Sequence, residues 1–338
     1  MTRYVVIGAG AIGAHLAAQL TAAGIDTVLV ARGRQLDALR RGPLVLRKAS
    51  GDEHVSIAVA ADAAEIGLRR GDVLVLAVKS QDAEGIIAGW AWLPLADDPL
   101  GVAADLPIVV LQNGVAAEQI ALRRFARVVS VATIVPSGYL EPGVVIPYAG
   151  TGTGYFQVGA LDGRQAADAE LVAGVAGDLE KAGYVVRVRE DITRRKHEKL
   201  LHNILNAVSV LAGDDDQRRA LSDALVAEAR AVLTAAGFDL DVPADVDIAQ
   251  AFGGRPPAAP TAERPAFHGS TWQNFAKGTP SEVDYLNGEI VLLARRLGIP
   301  APLNEAVQRL LGRSAALGEG PGARRIDEIL ELAPTPSR

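Results

Sequence analysis

The feature that most constrains the fold of this chain is a glycine pattern near its N-terminus, Gly8-Ala9-Gly10-Ala11-Ile12-Gly13. The pattern follows a short apolar run, Tyr4–Gly8, and opens a helical pattern from about Ala11 to Ala23 that Gly24 ends. In such a strand–turn–helix unit the first glycine permits the tight turn, and the third lets helix and strand pack closely. The chain is therefore expected to begin with a parallel, doubly wound sheet.

The same glycine pattern predicts a ligand. Its second glycine lets the backbone approach a pyrophosphate, and the free amides and dipole of the helix N-terminus favour an anion there. A glycine turn without a ligand is the alternative, but it does not explain all three placements. We therefore expect a dinucleotide to bind along the backbone of Gly8, Ala9, Gly10, Ala11, Ile12 and Gly13.

Cations follow the second predicted strand, Thr27–Ala31, in the sequence Arg32-Gly33-Arg34. A site selective for NAD usually carries Asp or Glu at this point, to bond the ribose 2′-hydroxyl. Guanidinium groups instead suit a 2′-phosphate, because they offer forked, charge-assisted hydrogen bonds. Two solvated arginines on a loop are the alternative. The pattern favours NADP as the cofactor, with Arg32 at its phosphate.

The first part of the chain alternates strand and helix patterns, whereas the second part carries almost no strand signal. Further strands are predicted at Asp72–Val78, Pro107–Gln112, Val128–Val135, Tyr155–Ala160 and Tyr184–Val188. Further helices are predicted at Glu118–Arg124, Ala166–Ala182, Thr193–Ala212, Asp216–Ala236, Pro280–Leu297 and Pro302–Leu311. We therefore predict an α/β, Rossmann-type doubly wound domain over residues 1–190 and an all-α domain over residues 191–332.

Between Asp239 and His268 the pattern is irregular. Four prolines, Pro256, Pro257, Pro260 and Pro265, exclude a helix there. This stretch is expected to be either a disordered insert or a loop that crosses the functional site.

Two later strands of the predicted sheet end in polar residues, Lys79 after the one and Asn113 after the other. Ligands of a doubly wound sheet bind just beyond the carboxyl ends of its strands. Both side chains are therefore expected to face the cofactor. A plain loop or helix-cap role is the alternative for each.

The composition excludes several classes of function. The chain has 338 residues, of which 49% are hydrophobic and 22% charged, and its net charge of −6 argues against nucleic-acid binding. It has no cysteine, which excludes disulfides and thiolate catalysis and is compatible with a reducing cytosol. No run of about 18 apolar residues could span a membrane, and the five histidines lack the spacing of a metal site. A cytoplasmic protein without metal, membrane or nucleic-acid partners is expected.

The segment KHEKLLHNILN places Lys199, Asn203 and Asn206 on one stripe of a predicted helix, since offsets of four and seven return to nearly the same azimuth. The alternative is an ordinary water-facing stripe. Asn weakens that alternative, because it costs roughly half a kcal/mol relative to Ala in a helix interior.

Ser270 and Glu282 lie in HGSTWQNFAKGTPSEVDYLNGEI. Each has a structural alternative. Glu282 could close a capping box that begins at Thr279, with Pro280 at the first helical position. Ser270 could cap a helix over Thr271–Ala276.

Together these residues resemble the ketopantoate (2-dehydropantoate) 2-reductase family. The resemblance covers most of the chain and rests on GAGAIG, AVKSQ, LQNG, the lysine–asparagine helix and STWQNFAKGTPSEVDYLNGE. It implies an N-terminal Rossmann domain, an all-helical C-terminal domain and an active site in the cleft between them. It also implies NADPH-dependent reduction of a 2-oxo acid to a 2-hydroxy acid.

The resemblance also assigns roles to individual residues. Lys199 matches the catalytic lysine, which donates a proton to the carbonyl oxygen as hydride arrives, and Asn203 acts with it in holding the substrate. Ser270 matches the serine that contacts the substrate carboxylate, and Glu282 the glutamate near substrate and nicotinamide. The expected substrate-binding residues are Asn113, Asn206, Ser270 and Glu282, and the expected further cofactor-binding residues are Lys79, Asn113 and Glu282.

Two positions depart from the family pattern. The second asparagine lies seven residues after the lysine instead of eight, and His197 stands where tryptophan is common. A different carbonyl or imine substrate on the same scaffold is therefore an alternative, and a non-catalytic NADP-sensing regulator is a second one. The apolar faces of the helical domain favour a homodimer.

Overall fold

The computed structural model of the chain describes residues 2–139, 141–148, 153–161, 163–240, 260–261 and 268–333. They divide into two compact units. The sheet unit holds the described residues of Met1–Gln112, Ala117–Thr193 and Ala244–Phe267, and the helical unit holds those of Asn113–Ala116, Arg194–Pro243 and His268–Arg338. Most of the stretch predicted to be irregular, from Asp239 to His268, lies outside the described residues. The predicted domain limits, 1–190 and 191–332, stay a prediction.

Fourteen strands lie in the described part of the sheet unit. They are β1 (Arg3–Ile7), β2 (Thr27–Val30), β3 (Leu44–Lys48), β4 (Gly51–Val55), β5 (Ala58–Ala60), β6 (Asp72–Leu76), β7 (Pro94–Leu95), β8 (Asp98–Val102), β9 (Ile108–Val110), β10 (Val128–Ile134), β11 (Ser137–Gly138), β12 (Val144–Pro147), β13 (Tyr155–Ala160) and β14 (Val185–Val188). Eight of them form one sheet in the order β14-β13-β10-β9-β6-β1-β2-β5, parallel except where β13 pairs with β10. This order is that of a doubly wound sheet, because the chain proceeds outward in both directions from β1.

Helices cover both faces of this sheet. They are α1 (Ala11–Ala22), α2 (Gly33–Arg41), α3 (Ala63–Ile66), α4 (Ala83–Trp90), α5 (Ala116–Leu122) and α6 (Gln165–Lys181). Alternate residues of β1 enter two separate cores, since Val6 packs with residues of α1 and α6 while Val5 packs with residues of α4 and α5. Burial of both faces explains why these strands are continuous apolar runs. The predicted α/β fold of the first part is confirmed.

Several elements of the sheet unit were not predicted. β11, β12, β3 and β4 form a second sheet, and β7 pairs with β8 in a hairpin. β4 has the sequence GDEHV and is largely exposed, so it shows no apolar run, and β7 and β11 have only two residues each. The sequence predictions missed these elements because short or solvated strands carry little hydrophobic pattern.

The described part of the helical unit contains no strand. Its helices are α7 (Ile192–Asn203), α8 (Asp215–Ala235), α9 (Ser270–Ala276), α10 (Asn287–Leu297), α11 (Pro302–Ala316) and α12 (Ile326–Leu332), with 3₁₀ helices at Ile204–Val210 and Val283–Tyr285. A single apolar core joins Ile204, Leu225, Ile290, Val307 and Ile329, each fully buried. The predicted all-α character of the second part is confirmed.

One predicted helix has a different form. The continuous α-helix expected over Thr193–Ala212 ends at Asn203, and the chain continues as the 3₁₀ helix Ile204–Val210. Within it the Ser209 hydroxyl donates to the Asn206 carbonyl oxygen three residues back, at 2.7 Å. Side-chain bonding of this kind competes with the α-helical pattern. Three residues make one 3₁₀ turn, so Asn206 still follows Asn203 on the same side.

No helix among the described residues is both long and apolar enough to cross a membrane. Within the same residues, no group of three or more His, Asp or Glu side chains could hold a metal ion.

Candidate active site

The glycine turn after β1 is built for close packing at one position and for open space at another. A methyl group on Gly13 would lie 2.0 Å from the Gly8 carbonyl oxygen and 2.8 Å from the Ala77 side chain. Gly8 itself has φ +113°, which disfavours any residue with a side chain. By contrast, nothing lies within 4 Å of a methyl group placed on Gly10, the N-cap of α1. Because glycine has no side chain, no side chain at the N-cap of this 12-residue helix accepts from its first amides. Open backbone at a helix N-terminus fits the pyrophosphate of a dinucleotide.

A buried glutamine, Gln35 of α2, holds this turn in place. Its side-chain nitrogen donates to the Ala9 carbonyl oxygen at 3.2 Å, and its side-chain oxygen accepts from the Gly143 amide at 2.7 Å. The sequence predictions missed Gln35, because a glutamine in a helix with many charged residues carries no signal of its own.

The two arginines predicted near the adenosine end of the cofactor are exposed. Arg32 is the N-cap of α2 in an extended conformation, and Gly33 beside it has φ +55°. The first turn of α2 carries no acidic residue. Arg34 lies close enough to Tyr139 for its charge to oppose the effect of burial, which raises the pKa of that phenol. Two exposed guanidinium groups are thus present where the sequence predicted them, and such groups fit a 2′-phosphate.

The strand ends beside the glycine turn are tied together by a second buried glutamine. Gln112, two residues after β9, donates to the carbonyl oxygens of Leu76 at 3.0 Å and Val78 at 2.8 Å. Lys79 follows directly and is half-buried, at the start of the 3₁₀ turn Ser80–Asp82. The structure thus places Lys79 at the carboxyl end of β6, where the sequence predicted it.

The central contact of the helical unit joins two predicted site residues. Lys199, on α7, donates from its ammonium to the side-chain oxygen of Asn113 at 2.8 Å. Asn113 belongs to the helical unit although it follows β9 by only three residues. The contact therefore fixes the ammonium group on a residue that comes directly from the end of a sheet strand.

Gly114 explains how Asn113 reaches this position. It has φ +79°, and a methyl group on it would lie 2.6 Å from the Tyr285 carbonyl oxygen. Only glycine permits both that conformation and that close approach. The turn carrying Asn113 therefore packs on the 3₁₀ helix Val283–Tyr285, directly after Glu282.

The three stripe residues occupy the end of α7 and the 3₁₀ helix beyond it. Lys199, Asn203 and Asn206 are all half-buried, so the stripe is not an ordinary water-facing surface. The side-chain nitrogen of Asn203 is buried and has no hydrogen-bond partner in the described part of the chain. The side-chain oxygen of Asn206 lies 3.6 Å from the position of a methyl group on Gly269, immediately before Ser270. The structure thus brings Asn206 next to the start of α9.

The capping alternatives for Glu282 and Ser270 are wrong. No α-helix begins at Pro280, since α10 starts at Asn287, and the Thr279 amide, which a capping box would pair with Glu282, donates to the Asn274 carbonyl oxygen at 2.9 Å. Glu282 is 4% exposed, so its carboxylate is buried instead of capping a solvated helix end. Ser270 is the first residue of α9 and Gly269 is its N-cap, with no side-chain capping bond. Gly269, with φ −56° and ψ 160°, therefore occupies the N-cap position that was considered for Ser270.

His197, which departs from the family pattern, is buried. Its ring stacks on Phe238, with ring centroids 3.6 Å apart. The position therefore keeps a flat ring in the helical unit, although the ring is smaller than the indole common there.

Comparisons with known proteins identify the family. Residues 4–163 match the model described as ketopantoate reductase PanE/ApbA, and residues 191–314 match the model of its C-terminal part. A 2-dehydropantoate 2-reductase of Mycobacterium tuberculosis is 30% identical over 332 residues, covering 95% of this chain and 99% of the relative. The chain belongs to the ketopantoate reductase family. The resemblance of its motifs to that family is confirmed, and the chain is an oxidoreductase.

Solved structures agree with this membership of the ketopantoate reductase family. A PanE/ApbA family ketopantoate reductase of Ralstonia eutropha is 25% identical with a TM-score of 0.72, covering 94% of this chain and 99% of that one. D-Mandelate dehydrogenase with NADH and anilino(oxo)acetate has a TM-score of 0.75 over the same shares, at 19% identity. The second likeness shows the shared fold alone. The family is one of nicotinamide-dependent reductases.

Proposed function

We propose that this protein is an NADPH-dependent reductase that converts a 2-oxo acid, 2-dehydropantoate or a close analogue, to the 2-hydroxy acid. The observation that carries the proposal is the hydrogen bond of 2.8 Å between the Lys199 ammonium and Asn113. It holds a proton donor in one place, beside a residue that follows a sheet strand. The names of the relatives support the choice of 2-dehydropantoate.

Lys199 is the proposed proton donor. The nicotinamide, when bound, supplies the hydride. As the keto carbon is reduced, its oxygen gains negative charge, and the Lys199 ammonium stabilises this charge and transfers a proton to it. Asn113 orients the ammonium beforehand, which avoids reorganisation during the reaction.

Polar groups around Lys199 hold the rest of the substrate in this proposal. Ser270 binds the carboxylate, while Asn203 and Asn206 add directional hydrogen bonds without adding charge. The buried nitrogen of Asn203 supports its role, since an amide donor without a partner is available to a ligand. Glu282 is the proposed contact of both substrate and nicotinamide, as in the family pattern.

NADP is the proposed cofactor because of the positive charge after β2. Arg32 is exposed at the N-terminus of α2, where it would hold the 2′-phosphate, and Lys79 would lie on the cofactor side of the sheet. The neighbouring D-mandelate dehydrogenase structure contains NADH, so the preference needs its own measurement. The homodimer and the cytoplasmic location stay predictions.

The test is a steady-state assay of the purified protein with NADPH and NADH across a panel of 2-oxo acids and cyclic imines. The highest kcat/KM is expected for NADPH with 2-dehydropantoate, and Arg32→Glu should lower the NADPH preference by at least about tenfold, because it replaces a phosphate-binding cation by an anion. Higher turnover of another carbonyl or an imine would replace the substrate. NADPH binding without turnover of any compound in the panel would favour the regulatory alternative.

A further inference from the structure

Among the described residues of the helical unit, Asn274 is a second asparagine, besides Asn203, whose side-chain nitrogen is buried without a partner, and it has no role in the proposed reaction. The side-chain nitrogen of Asn274 is buried and meets no hydrogen-bond partner within the described residues, and the whole residue is 7% exposed. Buried amide donors are nearly always paired, because an unpaired one lowers the stability of the fold. Asn203 shares this property, and the proposed reaction gives Asn203 a ligand. We therefore expect the Asn274 side-chain nitrogen to donate to a ligand as well.

The position of Asn274 places it among the proposed substrate-binding residues. It lies four residues after Ser270 on α9, so the two side chains share one side of the helix. α9 packs against the 3₁₀ helix Ile204–Val210, and Phe275 lies in the same apolar core as Ile204. Asn206 of that 3₁₀ helix approaches the start of α9. The carboxamide is thus held beside the substrate side of the site.

The backbone around Asn274 is firmly fixed. Its carbonyl oxygen accepts from the Lys277 amide at 3.2 Å, from the Thr279 amide at 2.9 Å and from the Thr279 hydroxyl at 3.2 Å. These bonds end α9 and hold residue 274 in place. A polar group that is buried, unpaired and rigidly positioned has the properties of a preorganised binding group.

We propose that Asn274 is a specificity-determining residue that donates to a hydroxyl group on the substrate. This inference rests on the proposed function. In that proposal Ser270 binds the substrate carboxylate and Lys199 acts on the keto oxygen, while Asn203 and Asn206 add hydrogen bonds. The polar group of 2-dehydropantoate to which that proposal assigns no residue is the hydroxyl on carbon 4, next to an apolar carbon that carries two methyl groups. The site would therefore select 2-oxo acids that carry a hydroxyl group on carbon 4.

The expected selectivity is large. A site that pairs a buried donor with a substrate hydroxyl rejects the analogue without that hydroxyl by about 10²- to 10⁴-fold, because the donor is then left unpaired in the complex. An Asn274 side chain with a purely structural role would affect both substrates alike.

The experiment compares kcat/KM for 2-dehydropantoate with that for 3,3-dimethyl-2-oxobutanoate, which lacks only the hydroxyl. The wild-type protein should prefer the hydroxylated acid by at least about a hundredfold. Asn274→Leu, of similar shape without a donor, should reduce that preference at least about tenfold, mainly through loss of activity on the hydroxylated acid. The control is Gln273→Leu, which removes the carboxamide of the neighbouring residue. Unlike that of Asn274, this carboxamide has a partner, because its nitrogen donates to the His268 carbonyl oxygen at 2.7 Å. This variant should leave the preference unchanged within about twofold.

Thermal unfolding of the same variants separates binding from structure. Asn274→Leu should keep or raise the melting temperature, because it removes an unpaired buried donor. An unchanged preference in Asn274→Leu overturns the inference, and so does an equal loss on both acids together with a lower melting temperature. If neither Asn274→Leu nor Asn274→Ala folds, the residue is structural and the inference is overturned. A wild-type protein that does not reduce 2-dehydropantoate overturns the proposed function too, whereas normal reduction with an unchanged preference overturns this inference alone.

Discussion

Two glycines of the turn after β1 have different roles. Gly13 allows the turn to pack, and Gly10 leaves space for the proposed ligand. Gly13 must lack a side chain because a methyl group there would overlap the Gly8 carbonyl oxygen at 2.0 Å. Gly10 has open space around it, so the fold should tolerate a methyl group that the proposed pyrophosphate would not. The spacing of the three glycines was sufficient to predict the close packing at Gly13, because this packing follows from backbone geometry close in sequence, whereas the ligand role of Gly10 stays a prediction.

The paired variants Gly13→Ala and Gly10→Ala test this division. Gly13→Ala should lower the free energy of unfolding by at least about 2 kcal/mol, because the packed backbone cannot move away. Gly10→Ala should change it by less than about 1 kcal/mol while weakening NADPH binding by about tenfold or more. Urea denaturation and NADPH fluorescence titration measure the two effects. Equal losses of stability in both variants would contradict the assignment.

Other site residues could not be predicted, for a physical reason at the same scale. Gln35 and Gly114 act through contacts with parts of the chain that are distant in sequence, and Asn274, a proposed site residue, is distinguished only by the missing partner of its side-chain nitrogen. Gln35 bonds to Gly143, 108 residues away. The sequence alone shows which side chains can form hydrogen bonds, but it does not show which of them have hydrogen-bond partners in the folded chain.

At the scale of elements, helix ends depend on partners that the local sequence does not show. Pro302 correctly predicted the start of α11, but the cap of that helix comes from α8. The Glu228 carboxylate accepts from the Leu303 amide at 3.0 Å, the Asn304 amide at 2.8 Å and the Asn304 side chain at 2.9 Å. Asn304 in turn accepts from Asn287 at 3.0 Å. Three helices are thereby joined at one buried polar cluster.

Glu228→Ala should therefore lower the free energy of unfolding by about 2–4 kcal/mol, because it leaves buried amide donors unpaired at a helix N-terminus. The control is Glu305→Ala. Glu305 also lies on α11, but its carboxylate is exposed and pairs with Arg295 of α10. That variant should cost less than about 1 kcal/mol, since exposed ion pairs contribute little. Urea denaturation measures both. A loss in Glu228→Ala no larger than in the control would show that the cap does not stabilise α11.

For the whole molecule, the sequence pattern was sufficient for the class of fold but not for its details. The long apolar strands and the glycine-ended helices predicted the doubly wound sheet and the helical unit, because their patterns repeat over many residues. In the second sheet, formed by β11, β12, β3 and β4, the two-residue strand β11 pairs with β12, and Val144 of β12 pairs with Val45 of β3, which is distant in the chain. Pairing of such short, distant strands depends on tertiary contacts that no local pattern records.

The candidate site shows the same division between local pattern and tertiary contact. The helical spacing of Lys199 and Asn203 was sufficient to group them, and the structure adds the Asn113 contact that fixes the ammonium. The capping alternatives failed because the helices that start at Ser270 and Asn287 have Gly269 and Leu286 as their N-caps. Lys199 is therefore the residue on which the proposed chemistry depends.

The most direct test of that chemistry is the steady-state and binding behaviour of Lys199→Ala with NADPH and 2-dehydropantoate. We predict that kcat falls by about 10²- to 10⁴-fold, because the developing alkoxide loses its proton donor. The dissociation constant for NADPH should stay within about threefold of the wild-type value, since Lys199 acts on the substrate oxygen. A variant that keeps kcat within about tenfold of the wild type would contradict the role of Lys199 as proton donor.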